Sequence, residues 1–345
     1  MTEGKELKKG LISVVMSNYN TPINYLKEAI DSVLKQTYSN FEFIIIDDGS
    51  TDDSLEFIKS YDDPRIKLIV NEENIGLAHS LNRGFDAASG EFIARMDTDD
   101  ICYPQRFEKQ IEYMQENPNT IVCGAWAKII DSQNQETGES WGSPIIKDTD
   151  SYRIGLLFSN NPLIIHPSAF FNHKLLMKYN LVYNNQFPHA EDYEFWTRCA
   201  KYADCEILRE YLLKFRRRES SVSASFTKLQ KEEAYSIIKI QLNELGLRMS
   251  SDIQDLHYRL FVDMKPYDNT LKKWIKRIIS ANKKYKVFNQ KKLKKLLWYR
   301  WSEFCYEEMS HSKTMRILYL FISLSIRCKL NLFKIRTNYK KGKHV

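Results

Sequence analysis

Short apolar, β-branched runs, each closed by a polar or acidic cluster, recur through the first 130 residues and are separated by stretches of helical period. Ile12 to Met16 reads as a first strand and leaves through Ser17, Asn18, Tyr19 and Asn20, a polar exit suited to a binding loop. Thr21 offers an N-cap and Pro22 a first helical residue for a helix through Lys35, with Leu26, Ala29, Ile30, Val33 and Leu34 as its buried stripe. Phe41 to Ile46 is a second strand, ending in Asp47 and Asp48; Gly49 to Thr51 follow, then a helix to Ser60. A third strand, Arg65 to Val70, follows the Asp63–Pro64 turn. Leu77 to Ala88 reads as a helix closed by Gly90. Phe92 to Met96 is a fourth buried strand, at whose end polarity inverts into Asp97, Thr98, Asp99 and Asp100.

This alternation predicts right-handed βαβ units and a mostly parallel sheet with helices on both faces, an α/β fold. Its consequence is geometric: Ser17, Asp48 and the Asp97 to Asp100 cluster lie at C-terminal strand ends, on the sheet edge where such folds bind phosphorylated ligands. Further along, Pro104 to Glu116 reads as a helix, Thr120 to Ile130 as a strand, and Asp131 to Asp150 as a surface loop or hairpin. The segment from Asn160 to Phe171, with His166 and Pro167, reads as loop and strand. Glu191 to Ala200 is an amphipathic helix with Phe195, Trp196 and Cys199 inward, and Ile207 to Phe215 a last strand running into Arg216, Arg217 and Arg218. After Phe226 the character changes to helices rich in Lys, Tyr and Leu, which divides the chain into a catalytic domain, 11–226, and a basic helical region, 227–345.

Charge sharpens that division. The formal +7 over 345 residues hides 21 Lys and Arg against three Glu from Asn269 onward, and 30 against 41 acidic residues before it. The basic surplus is local, which disfavours a nucleic-acid partner for the whole protein. Six cysteines, at 102, 123, 199, 205, 305 and 328, form no CxxC pair and read as reduced, mostly buried thiols. The polar start, MTEGKELKKG, carries no export stretch, so a cytoplasmic location is expected. The longest apolar run, Ile317 to Ile326, is too short to span a bilayer.

Three carboxylates at one strand end need a partner. Residues two apart on a segment leaving a strand point the same way, so Asp97 and Asp99 can present oxygens to one side, and a hard cation, Mn²⁺ or Mg²⁺, suits them. The plain alternative is a solvated acidic turn before a helix. Asp47 and Asp48 admit a plain reading too, as a strand-to-helix turn, although a carboxylate one strand away from a metal cluster can accept from a base N–H. Neither GxGxxG nor GxxxxGK[ST] occurs, against a dinucleotide oxidoreductase and a P-loop enzyme. Glu191 and Asp192 open a helix beside Tyr193, Phe195 and Trp196. They are either a dipole-favoured charge pair or a general base, because a carboxylate walled by aromatics gains proton affinity.

Together, ISVVMSNYN, FEFIIIDDGSTDDS, NIGLAHSLNRGFDAASGEFIARMDTDD and AEDYEFW, in that order, resemble glycosyltransferase family 2, of the GT-A fold, over residues 11–225. The resemblance implies an inverting transfer of a sugar from a nucleotide diphosphate, usually UDP, with Mn²⁺ or Mg²⁺. It implies nucleotide contacts for Ser17, Asn20 and Asp48, ribose and metal contacts for the DxD pair Asp97 and Asp99, metal support from Asp100, and Asp192 as base. One position departs from the family: where many members carry a His after the last core strand, this chain has Arg218, which cannot ligate a cation but can grip phosphate oxygens. Metal dependence is then weakened, or His166 or His189 supplies the ligand; the plain alternative for each is a structural histidine.

The expected acceptor is a saccharide or lipid-linked oligosaccharide in surface-polysaccharide assembly. The basic tail, with Trp274, Trp298, Tyr299 and Trp301, is expected either to pack as solvated helices or to attach peripherally to an anionic leaflet on the inner face of the cell membrane. The alternatives are a non-catalytic nucleotide-sugar-binding scaffold and a sugar nucleotidyltransferase, which needs a Gly-rich phosphate loop where Ser17 to Asn20 stand.

Overall fold

The computed structural model describes residues 5–142, 148–157, 164–217, 227–248, 250, 256–257 and 269–298. The chain runs through β1 (Lys8–Asn18), α1 (Ile23–Leu34), β2 (Phe41–Asp47), α2 (Ser54–Lys59), β3 (Ile66–Val70), α3 (Leu77–Ala87) and β4 (Gly90–Met96). It continues with β5 (Ile101–Cys102), α4 (Arg106–Glu116), β6 (Thr120–Ile130), β7 (Glu136–Trp141), α5 (Thr149–Leu156), a 3-10 turn at His166–Ser168, β8 (Phe170–Asn172) and α6 (His173–Lys178). Then come α7 (Glu191–Tyr202), β9 (Asp204–Arg216), α8 (Thr227–Glu244) and α9 (Asn269–Tyr285).

Nine strands form one sheet, ordered β3-β2-β1-β4-β8-β6-β9-β5, with β7 on β6. The expected parallel part is β3-β2-β1-β4. Beyond β4 the sheet is mixed: β8 enters antiparallel between β4 and β6, and β9 runs parallel to β6. Every residue of β2 is buried, as a strand covered on both faces requires. On one face α1 and α4 close a core of Val14, Met16, Ile30, Phe43, Phe92 and Phe107. The polar excursion after β6 is a hairpin, with β7 returning along β6.

Two local expectations are corrected. Thr21 does not cap α1; its hydroxyl meets that of Thr98 at 2.8 Å, tying the β1 exit to the acidic segment after β4, and Pro22 holds the cap position without a side-chain bond. Gly90 does not close α3. It is the first residue of β4, where a Cβ would lie 2.5 Å from the carbonyl oxygen of Leu11, so close strand approach explains the glycine.

The described residues fall into two compact units, the first ending at Ile237 within α8 and the second comprising Leu157 and the residues from Ile238 on. The expected boundary near Phe226 lies outside the described residues. In the second unit α9 buries Trp274, Ile275 and Ile278, and the Trp274 indole donates to His257 Nδ1 at 3.1 Å. Trp274 is therefore a core residue and not one offered to a membrane interface; Tyr299 and Trp301 lie outside the described residues. No helix among the described residues is long and apolar enough to cross a membrane. The described cysteines, Cys102, Cys123, Cys199 and Cys205, are free and buried.

Candidate functional site

The parallel register places the ends of β1, β2 and β4 on one edge. Each end carries polar side chains that first organise the loops. Asn18, buried, donates to Asp47 Oδ2 at 2.8 Å and to the hydroxyls of Ser50 and Ser54. Asn20, in the left-handed region at φ 49, accepts from the backbone N–H groups of Thr51 and Asp52 through Oδ1. Asp48 accepts from Asn71 Nδ2 and the Ile75 N–H through Oδ1, and from the Gly76 N–H through Oδ2. A carboxylate offers about four acceptor directions, so one remains on Oδ2. Gly49, at φ 70, makes this arrangement possible: a Cβ there would lie 2.5 Å from the Glu73 carbonyl carbon. Ser17 stands half-buried at the mouth of the same edge.

After β4, the carboxylates of Asp97, Asp99 and Asp100 present oxygens within 4.8 Å of one another. Asp100 is buried; Oδ1 accepts from the Arg216 N–H at 2.8 Å, and Oδ2 has no hydrogen-bond partner among the described residues. Burial, then Asp99 and Asp97 beside it, push its carboxyl well above the ordinary carboxylate range. An orphaned buried oxygen in a crowd of like charges is the environment a hard divalent cation relieves, so the donor set fits Mn²⁺ or Mg²⁺.

Three arginines frame this cluster, and sequence reasoning assigned a site role to none of them. Arg95 is buried, and its Nη1 lies 2.5 Å from Asp97 Oδ2. Arg106, fully buried, donates to the carbonyl oxygen of Arg95 at 2.8 Å and fixes the end of β4. Arg216 donates to the carbonyl oxygen of Asp99 at 2.7 Å, pairs with Glu28 at 2.7 Å and lies over the Tyr25 ring. Arg216→Ala would remove a donor from Glu28 Oε2, the Asp99 carbonyl and the Asp131 carbonyl at once. It is expected to lower stability by about 3 kcal/mol in urea unfolding.

Across from Asp97, α7 begins with Glu191 and Asp192 on an aromatic bed. Trp196 stacks on Phe171 with centroids 5.7 Å apart, and Phe195 meets Tyr183 at 4.4 Å. Asp192, half-buried, accepts from the Tyr193 N–H at 2.6 Å. Desolvation raises its carboxyl to about 6 against the lowering effects of that bond and of Arg95, and Asp97 adds to the rise. Glu191, deeper, is raised more strongly by burial and by Asp192. Arg95 and Asp97 thus act on the Asp192 carboxyl in opposite senses.

His166 supports this arrangement and does not join the acidic cluster. Its Nε2 meets the Tyr183 hydroxyl at 2.8 Å, Nδ1 faces Glu191 at 3.6 Å, and burial followed by Arg95 drives its proton affinity well below the ordinary histidine range. His189, whose backbone N–H donates to Glu233, likewise joins no ion-holding group among the described residues. Arg218 lies outside the described residues.

The family description Glycosyl transferase family 2 matches residues 13–179. An uncharacterized glycosyltransferase of Methanocaldococcus jannaschii is 37% identical over 243 residues, 68% of this chain and 80% of that one. The Escherichia coli UDP-Glc:alpha-D-GlcNAc-diphosphoundecaprenol beta-1,3-glucosyltransferase WfgD is 30% identical over 256 residues, 72% of this chain and 91% of that one. Among solved structures, S. aureus TarS in complex with UDP-GlcNAc aligns with TM-score 0.56 and 20% identity, covering 87% of this chain and 91% of that one. A mannosyltransferase from Pyrobaculum calidifontis in complex with GDP-Man and Mn²⁺ aligns with TM-score 0.52 and 14% identity, covering 93% of this chain and 87% of that one. The fold is that of GT-A glycosyltransferases, and the chain, 37% identical to a glycosyltransferase over 243 aligned residues, is a glycosyltransferase belonging to family 2.

Proposed function

We propose that this enzyme is an inverting transferase that moves a sugar from a nucleotide diphosphate, UDP foremost, to a hydroxyl of a saccharide or lipid-linked oligosaccharide in surface-polysaccharide assembly. One observation carries the reading: Asp97, Asp99 and Asp100 present carboxylate oxygens within 4.8 Å of one another at the end of β4, and Asp97, paired with Arg95, also bears on the Asp192 carboxyl at the start of α7. This supports reading Asp192 as the base and the acidic cluster as the diphosphate side of one site. The names of WfgD and of TarS bound to UDP-GlcNAc support a UDP donor and, through WfgD, a lipid-linked acceptor. Contact with an anionic membrane belongs to the same reading, because such an acceptor is met at a lipid surface.

Each residue then has a task. Ser17 and the free acceptor direction of Asp48 receive the base and ribose, and Asn20 keeps the two loops in register. Asp97, Asp99 and Asp100 hold the cation, which when bound offsets negative charge on the departing diphosphate. Arg218, from its place after β9, is positioned in sequence to grip phosphate. Asp192 takes the proton of the acceptor hydroxyl as that oxygen attacks the anomeric carbon from the face opposite the diphosphate, so configuration inverts. Arg95 keeps Asp192 ionised more readily than burial alone would allow.

The pH profile follows from that base. A base works deprotonated, so kcat/KM is expected to fall about tenfold per pH unit below about 6, and a flat profile from 5 to 8 would remove Asp192 from the role. The anomeric configuration of the isolated product, read by NMR coupling, decides the stereochemistry. Inversion is expected; retention would contradict the reading.

A further inference from the structure

The second unit carries a feature that sugar transfer does not use. Between residues 269 and 298 stand eleven Lys and Arg and no Asp or Glu, against a surplus of acid before it. On α9, Lys272, Lys273, Lys276, Arg277, Lys283 and Lys284 are all exposed. At ~100° per residue they fall within an arc of about 140°. The opposite side holds the buried Trp274, Ile275, Ile278 and Asn282. Asn282 turns the chain by bonding both ways to the Phe288 backbone, and Lys286, Lys291, Lys294 and Lys295 extend the exposed positive charge beyond the turn. None of these ten forms an ion pair among the described residues. Like charges three and four apart on a helix oppose its formation, so an uncompensated face of this size is best explained by a polyanionic partner.

We propose that the basic face of α9 and of the residues that follow is a docking surface for an anionic lipid bilayer, held by charge and not by inserted aromatic side chains. The choice of lipid over other polyanions rests on the lipid-linked acceptor proposed above. The choice of charge over insertion rests on α9 itself: Trp274, Ile275 and Ile278 on its apolar side are buried, and the Trp274 indole is hydrogen-bonded to His257. Tyr285, 47% exposed between Lys284 and Lys286, suits the headgroup level without demanding depth. Such binding is strong at low salt and weakens as ions screen the surface.

The test uses the full chain, vesicles of neutral phosphatidylcholine with or without phosphatidylglycerol, and co-sedimentation. Wild type is expected to sediment with the anionic vesicles at low salt, to be released at high salt, and to ignore the neutral ones. Each basic residue near such a surface contributes roughly a fivefold change in partitioning, so Lys272, Lys273, Lys276 and Arg277, all changed to Gln, should weaken binding at least a hundredfold. Changing Lys8, Lys9, Lys35 and Lys59 of the first unit to Gln serves as the charge-matched control and should change it far less. Equal binding to neutral vesicles, or wild-type sedimentation of the α9 variant, would overturn the proposal. So would retention on heparin or DNA without vesicle binding, which would assign the face to another polyanion. Turnover of a water-soluble acceptor by the α9 variant should match wild type, so failure of the docking proposal and failure of the transferase reading give different results.

Discussion

Asp192→Asn is expected to cut sugar transfer by roughly a hundred- to ten-thousand-fold while leaving donor affinity within about twofold. The amide has the shape of the carboxylate and still offers an oxygen to the Tyr193 N–H, so α7 starts as before. What it loses is the capacity to accept a proton. Glu191 does not replace it, because burial and its neighbour favour its protonated form, and a protonated carboxyl is no base. Initial rates with saturating donor, paired with calorimetric binding of UDP, separate the two effects. Near-normal transfer would place the base elsewhere, and lost UDP binding would show that the substitution had disturbed the pocket.

A loss of comparable size is expected at the other end of the site. Asp99→Ala removes one of three carboxylates whose oxygens lie within 4.8 Å, whereas the backbone carbonyl of Asp99 remains tied to Arg216. The acidic turn therefore keeps its course while the ion loses a ligand. Charge stabilisation by a bound ion is worth several kcal/mol, which corresponds to a fall of roughly a hundred- to ten-thousand-fold in turnover. Titration of Mn²⁺ into the donor-bound protein should show the matching loss of ion affinity. Unchanged affinity would assign the ion to other groups and leave Asp99 a structural residue.

The first half of the fold was legible because its strands are buried on both faces and so read as unbroken apolar runs, Phe41 to Ile46 being the plainest. β6 was read with the bounds it has, for the same reason. The three-residue strand β8 was read only within a loop-and-strand segment, Asn160 to Phe171, because it is too short for such a signal. Only its pairing with β4 and β6 defines it, and pairing between distant segments leaves no local period.

The acidic cluster was legible because polarity inverts at a strand end. The arginines around it were not. Nothing local in the strand Phe92 to Met96 marks Arg95, which is buried beside Asp97, and nothing in the run Arg216 to Arg218 singles out Arg216, which Glu28 and two carbonyls enclose. Buried cations are found through their partners, and the partners come from distant parts of the chain. Thr21 shows the same limit on a small scale: its local role as a cap gave way to a hydroxyl 77 residues away. In the second unit the helical period was clear, but which side of α9 meets protein became visible only when Trp274 was seen against His257.

Metal-dependent turnover of a nucleotide sugar is the central expectation for this enzyme. The most direct measurement is release of free nucleoside diphosphate from a panel of UDP-, GDP- and dTDP-sugars, with Mn²⁺, with Mg²⁺ or with EDTA. Release from one donor, supported by either ion and abolished by EDTA, is the predicted result. Tight donor binding without release under any condition, with a saccharide acceptor supplied, would contradict it and leave a nucleotide-sugar-binding scaffold in its place.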